Sequence, residues 1–285
     1  MSAEPIEYEE QAGSTTPAEV AGSNGTAAHS IAAADGRAEH GAVVEPAFVG
    51  RAEELAALDA QFEAATRGSA GLVMLEAESG GGKTRLLDEL AHRAASAGAW
   101  ILRAQGIEQV ASSPLPAIVG IAQEIVSRAS LDPALVATIR EALGDLQGAV
   151  CAVLPELAEV LEPKGPVDLG PEAFGEARVV EGLTTLLESL GSSAQPAVVI
   201  LDDCQWADDS TLKLLQHWST HAPAARHVTV IVSFRSEAVT SSHALRHIQN
   251  AAHVVLRPFS ESEIRQLIES MAGNLPGEAV SVAES

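Results

Sequence analysis

The chain has 285 residues, 46% of them hydrophobic and only 3% aromatic, with a formal charge of −22 from 17 basic and 39 acidic residues. That suffices for one large domain or two ordinary ones, around a core of Leu, Val, Ile and Ala. A field this acidic disfavours chain-wide contact with nucleic-acid backbones or anionic lipid, and no basic run makes a local exception. Cys151 and Cys204 stand far apart without metal-ligand spacing, which argues against a disulfide framework. No basic leader precedes an apolar stretch, and no apolar run is long enough to span a bilayer. The expected location is the cytosol, with no membrane partner.

Residues 1–45 are rich in Ala, Gly, Ser, Thr and Glu and lack a helical or strand period. They carry eight acidic residues against Arg37 alone. Such a segment cannot bury enough apolar surface to offset its chain entropy, so it reads as disordered, with an acidic docking tail as the alternative. From Pro46 the texture changes. Leu55, Leu58, Phe62 and Ala65 recur at helical spacing until Gly68. Leu72 to Leu75 reads as a buried strand, followed by a glycine loop and a helix with Leu86, Leu87, Leu90, Ala91 and Ala94 on its inner face. A second strand is expected near Trp100-Ile101-Leu102. Residues 114–163 look helical, with breaks at Pro133 and Pro155, and a further helix runs from Pro171 to Gly191. Val198 to Leu201, Val228 to Phe234 and Val254 to Leu256 supply three more strands. Ser260 and Glu263 form a capping box before Ile264, Leu267, Ile268 and Met271.

Continuous apolar strands separated by helices predict an α/β fold, a parallel five-stranded sheet covered by helices on both faces. The expected divisions are a disordered segment at 1–45, a core at 46–258 and the start of a helical lid at 259–285.

Two motifs carry chemistry. Ala77-Glu78-Ser79-Gly80-Gly81-Gly82-Lys83-Thr84 lies between an apolar strand and an amphipathic helix, the context a phosphate-binding loop requires. Its N–H groups and the helix N-terminus suit anionic phosphates. Lys83 is expected on the β- and γ-phosphates of ATP, and the Thr84 hydroxyl on magnesium. Ala77 stands where the usual pattern has glycine, which is tolerable at negative φ. The bland reading is a glycine-rich turn before a helix. The second motif is Asp202-Asp203, at the carboxyl edge of an apolar strand, where parallel sheets bind ligands. Asp202 is the expected partner of magnesium, directly or through water, and Asp203 the residue that orients or deprotonates an attacking water. Two adjacent carboxylates need a cation, and Asp208, Asp209 and Ser210 are better placed to cap the following helix.

Together these residues resemble the AAA-type ATPase domain of the signal-transduction ATPases with numerous domains, a class found in multidomain bacterial signalling proteins and similar to the origin-recognition ATPases. Phe48-Val49-Gly50-Arg51 with Glu53-Glu54-Leu55 looks like the family's N-terminal box. Lys83-Thr84-Arg85-Leu86-Leu87 looks like the end of its phosphate loop. Leu201-Asp202-Asp203-Cys204-Gln205-Trp206-Ala207-Asp208 is similar to its acidic motif, and Ser233-Phe234-Arg235 to the strand end that carries a phosphate-sensing arginine. The resemblance spans about residues 46–280. It implies adenine contacts at Val49 and Gly50, phosphate contacts from Ser79 through Arg85, and sensing of the γ-phosphate by Arg235. It implies partners in ATP, in sensor or output domains of a longer polypeptide, and in a second copy of the chain. The lid is incomplete at Ser285, so the chain reads as a fragment.

For Arg235 the bland alternative is an ion pair with Glu237 or another surface acid. Arg178 reads equally as a nucleotide contact or as the partner of a neighbouring carboxylate. His217 and His221 have the spacing of a metal pair without a third ligand, and read as a solvated helix face. Trp206 is expected to pack beneath its loop, and Cys204 lacks an activating neighbour. The leading function is a regulatory ATPase switch. The alternatives are a nucleotide-binding scaffold without turnover and, less well supported, a P-loop kinase acting on a small molecule.

Overall fold

Five apolar strands are the skeleton of the computed structural model, which describes residues 48–108, 115–163 and 172–272. In chain order they are β1 (Leu72–Ala77), β2 (Trp100–Gln105), β3 (Ala197–Asp202), β4 (Val228–Arg235) and β5 (Ala251–Leu256). They form one sheet in the order β2-β3-β4-β1-β5, and every pairing is parallel. Both faces of the central strands are buried, which is why their sequences run apolar without alternating. Leu72 and Met74 enter one core; Val73, Leu75 and Ala77 enter the other.

The smaller core lies under α1 (Ala52–Thr66) and α2 (Lys83–Ser96), which bury Leu55, Leu58, Leu86, Leu87 and Leu90 against the sheet. The larger core lies on the opposite face. It is covered by α3 (Pro116–Ala129), α4 (Pro133–Leu143), α5 (Gln147–Val153), α6 (Ala158–Leu161), α7 (Glu172–Ser189) and α8 (Asp209–Thr220). Trp218 of α8 and Phe234 of β4 are among its largest fully buried side chains. Pro133 and Pro155 break this region as expected. Each opens a new helical segment, and Asp132 caps α4 by accepting the Leu135 N–H at 3.1 Å. The last helix, α9 (Glu261–Ala272), starts with the predicted capping box: the Ser260 N–H donates to Glu263 Oε2 at 2.7 Å.

The topology places the functional edge. The chain leaves β1, crosses to the far strand β2, returns through β3 to β4, and then steps over β1 to β5. Connections diverge beside β1, which opens a crevice outside the carboxyl ends of the strands. Register aligns Ala77 of β1 with Arg235 of β4, and Gln105 of β2 with Asp202 of β3. The segment 1–45, the helix start at Pro171, the Met271 side chain and residues 273–285 lie outside what is described, so the expectations placed there stay as stated. Among the described residues no helix is long and apolar enough to cross a membrane.

Candidate nucleotide site

The loop between β1 and α2 has the backbone of a phosphate cradle. Gly80 and Gly82 have φ of +74° and +87°, a region costly for residues with a Cβ, and a Cβ built on either would meet open space. These two glycines are therefore required by conformation rather than by crowding. Gly81 differs: a Cβ there would sit 3.0 Å from the Cβ of Ala77 and from the carbonyl of Glu78. Ala77 itself, the departure from the usual glycine, is not among the residues with positive φ and ends β1 without strain. Lys83 opens α2 and is 8% exposed, while Thr84 and Arg85 are exposed on the first helical turn. A cradle free of Cβ atoms, a buried lysine and a hydroxyl at a helix N-terminus are the groups that a triphosphate with a divalent cation would use.

Two side chains from outside the loop hold its peptides. The Ser79 N–H donates to Glu237 Oε1 at 3.0 Å, and Arg51 Nη2 donates to the Gly81 carbonyl at 3.1 Å. Between them the Gly81 N–H closes a turn onto the Glu78 carbonyl at 3.0 Å. A cavity of about 490 Å³ opens alongside, lined by Glu78, Ser79, Ser236 and Glu237.

Across the edge stand the two aspartates. Asp202 ends β3; its Oδ1 accepts from the Ser233 hydroxyl of β4 and from the Asp203 N–H. Asp203 has φ of +53°. It accepts from Gln105 Nε2 at 2.9 Å and from Gln205 Nε2 at 3.0 Å, and pairs with Arg235 Nε at 3.5 Å. Partial burial pushes the Asp203 carboxyl upward, but the Gln205 and Gln105 amides, with the charges of Arg235 and Lys83, outweigh it and hold the pKa below the ordinary aspartate value. Asp203 is thus kept ionised within the field of the loop lysine. Gln205 closes the network, because its Oε1 accepts the Arg235 N–H at 3.2 Å.

The phosphate loop, Asp202, Asp203 and Arg235 are therefore brought to one sheet edge, while Val49 and Gly50 lie half-buried just ahead of α1. Gly50 has φ of +67°, and a Cβ there would fall 2.6 Å from Glu263 Oε1. Arg235 forms an ion pair with an acid, as its bland alternative had it, but the partner is Asp203 and not Glu237, whose carboxylate is turned to the loop. Protein donors reach both aspartates, the Ser233 hydroxyl at Asp202 and the Gln105 and Gln205 amides at Asp203. Two expectations need correction. Arg178, among the described residues, donates to the backbone carbonyl of Asp145 rather than to a carboxylate. Trp206 does not pack beneath its loop: it is 41% exposed. His217 and His221 stack at 5.6 Å, and among the described residues no group of three or more potential ligands gathers. Cys204 is fully buried and its thiol pKa is pushed up, first by burial and then by Asp202 and Asp203, so it is inert. Asp208 caps α8 through the Thr211 N–H at 3.0 Å, the role assigned to it.

Gln105 and Gln205 carried no role in the sequence reading, and Glu237 only that of an ion-pair partner for Arg235, not of a brace for the loop. Gln105 sits at a strand end in register with Asp202, and only the strand order could have signalled it.

A family model described as an AAA ATPase domain matches residues 47–231, well over half of the chain and ending within β4. No curated protein matches the chain. Among solved structures it is similar to Cdc6p from Pyrobaculum aerophilum, at 17% identity and a TM-score of 0.47, over 82% of this chain and 54% of that one. It is also similar to the Orc1 protein of Aeropyrum pernix, solved in complex with DNA, at 17% identity and a TM-score of 0.45, over 82% and 52%. The chain spans about half the length of these two structures. With the loop, the acidic strand end and the N-terminal box all inside the matched region, the chain belongs to the AAA ATPase domain family.

Proposed function

We propose that this chain binds Mg–ATP, hydrolyses it slowly, and acts as a regulatory switch for sensor or output domains of a longer polypeptide. One observation carries the reading: Asp203 lies in an ion pair with Arg235 and within the field of Lys83, so base, sensor and phosphate anchor form one electrostatic cluster.

Val49 and Gly50 would approach the adenine. The N–H groups from Ser79 through Arg85 and the Lys83 ammonium would hold the phosphates, with the Gly80 and Gly82 backbones supplying the concavity. Thr84 and Asp202 would hold magnesium, which when bound neutralises phosphate charge and draws electrons from the transferred group. Asp203, ionised at neutral pH, orients the attacking water and takes its proton as the water oxygen bonds to the γ-phosphorus and the bond to ADP breaks. Arg235 first has to leave Asp203. That pair is partly exposed and worth under about 1 kcal/mol, so a terminal phosphate can draw the guanidinium away and free the carboxylate. Moving a switch from 1:99 to 99:1 takes about 5.5 kcal/mol of differential affinity. Two or three charge-assisted bonds to the γ-phosphate, at roughly 1.5–3 kcal/mol each, reach it. In such a switch α9 would begin the lid.

A nucleotide-binding module without turnover is the second reading. It is favoured by the depressed pKa of Asp203, which makes a weaker base. Single-turnover hydrolysis with excess protein separates the two. Magnesium-dependent phosphate release that is lost in Asp203→Asn supports the ATPase, whereas tight Mg–ATP binding with no release over hours supports the scaffold.

A further inference from the structure

Arg51 is a charged residue in an unexpected place. Its side chain is 5% exposed, and it precedes α1 as the N-cap with φ of +62°. A near neighbour and two segments distant in sequence meet on it. Nη1 pairs with Glu54 at 3.2 Å, Nη2 donates to the Gly81 carbonyl at 3.1 Å, and the guanidinium lies over the Phe259 ring, 4.3 Å from its centroid. Among the described residues its Nε has no hydrogen-bond partner. The carboxylate of Glu263, in the first turn of α9, lies against the neighbouring Gly50, and its pKa is held down by the Ser260 hydroxyl and N–H first and then by the charge of Arg51. One residue thus touches the phosphate loop with its tip and, with its face, Phe259 just ahead of α9.

The contact with Gly81 has a directional consequence. A peptide unit is planar and trans, so its C=O and N–H point to opposite sides. Holding the Gly81 carbonyl on the Arg51 side aims the Gly82 N–H the other way. Gly80 and Gly82, both at positive φ, flank Gly81, and a run of three glycines has little intrinsic resistance to rotating that peptide. An arginine suits the task because its planar fork bonds two acceptors while its face stacks on an aromatic ring, which an ammonium cannot do.

We infer that Arg51 is a positioning residue of the phosphate loop and transmits the placement of Phe259 and α9 to the orientation of the Gly81–Gly82 peptide. The inference rests on the nucleotide reading for its purpose, and its decisive test needs no nucleotide. Amide hydrogen exchange is measured on the full, nucleotide-free chain for Arg51→Ala, Phe259→Ala and the double variant. Loop amides from Gly80 to Lys83 exchange about tenfold faster in Arg51→Ala, and faster by a smaller factor in Phe259→Ala although no loop residue has changed. The double variant exchanges no faster than Arg51→Ala alone, the non-additivity expected of one connected path. Arg51→Lys does not restore the wild-type rate, and it replaces the alanine variant in the cycle if that variant does not fold. Unchanged loop exchange in Phe259→Ala, or fully additive effects, overturns the inference. Calorimetry with Mg–ATP is the second arm, and Phe259→Ala weakens binding there. A wild-type chain that binds no Mg–ATP sinks the functional reading alone, because the exchange cycle still decides the joint.

Discussion

The two halves of the candidate site are built on opposite principles. The phosphate loop is a backbone device: its shape comes from Gly80 and Gly82 at positive φ, and its donors are main-chain N–H groups. The acidic edge is a side-chain device, in which Asp203 is held by Gln105 and Arg235 from two strand ends and by Gln205 from the turn that follows it. A backbone site is local and tolerates changes around it. A side-chain site depends on strand order and responds to each partner it loses.

Breaking the backbone half should give the largest effect. Lys83→Ala leaves the fold intact and lowers ATP affinity at least about a hundredfold, by calorimetry, roughly 2.7 kcal/mol. Equal affinity in the variant would remove the phosphate-loop assignment. Asp203→Asn tests the other half: Mg–ATP binding persists while single-turnover hydrolysis slows by about two orders of magnitude or more, the scale of general-base loss. Asp202→Asn, in contrast, weakens the magnesium dependence of binding.

Intermediate effects sharpen the contrast. Gly82→Ala introduces no clash, so its effect is conformational alone, about 1–2 kcal/mol of left-handed strain. It should appear as lost nucleotide affinity with little change at the acidic edge. Arg235→Ala should weaken ATP binding by about tenfold, near 1.4 kcal/mol, and leave ADP affinity unchanged. An equal loss for both nucleotides would return Arg235 to a structural role.

The smallest effect is a displacement along the pH axis. Because the folded-state pKa of Asp203 is depressed, the stability it contributes is present above the ordinary aspartate value near 4 and is lost as pH falls through the lower folded value. Hydrolysis should follow the same acid limb. Gln205→Ala removes the strongest of the groups that lower this pKa, so the limb moves to higher pH while the neutral-pH rate barely changes. An unmoved limb would show that the amide does not hold the carboxylate ionised.

The sheet and its helices were largely legible in the sequence. Continuous apolar runs mark strands buried on both faces, and Gly68, Pro133 and the Ser260–Glu263 box mark boundaries by local chemistry. The phosphate loop was legible for the same reason, since its requirements lie within eight consecutive residues. Gln105 and Glu237 were not legible. Neither has a local signature: Gln105 acquires its partner only because β2 lies beside β3, and Glu237 only because β4 lies beside β1. The misplacement of Trp206 has a related cause: its Cβ stands beside Gly106, just past the end of β2, and sequence spacing carries no information about that neighbour.

The strand order also sets when the site can exist during synthesis. The phosphate loop leaves the ribosome early, but Glu237, which braces it, follows 158 residues later, and both neighbours of β1 in the sheet belong to that late stretch. Closing so long a loop has an entropic cost that local contacts cannot offset, so nascent β1 and its glycine loop must wait, unpaired, for β4 and β5. The nascent chain therefore cannot use nucleotide to help itself fold until β4 has docked, and its apolar first strand is the segment most in need of shielding before then.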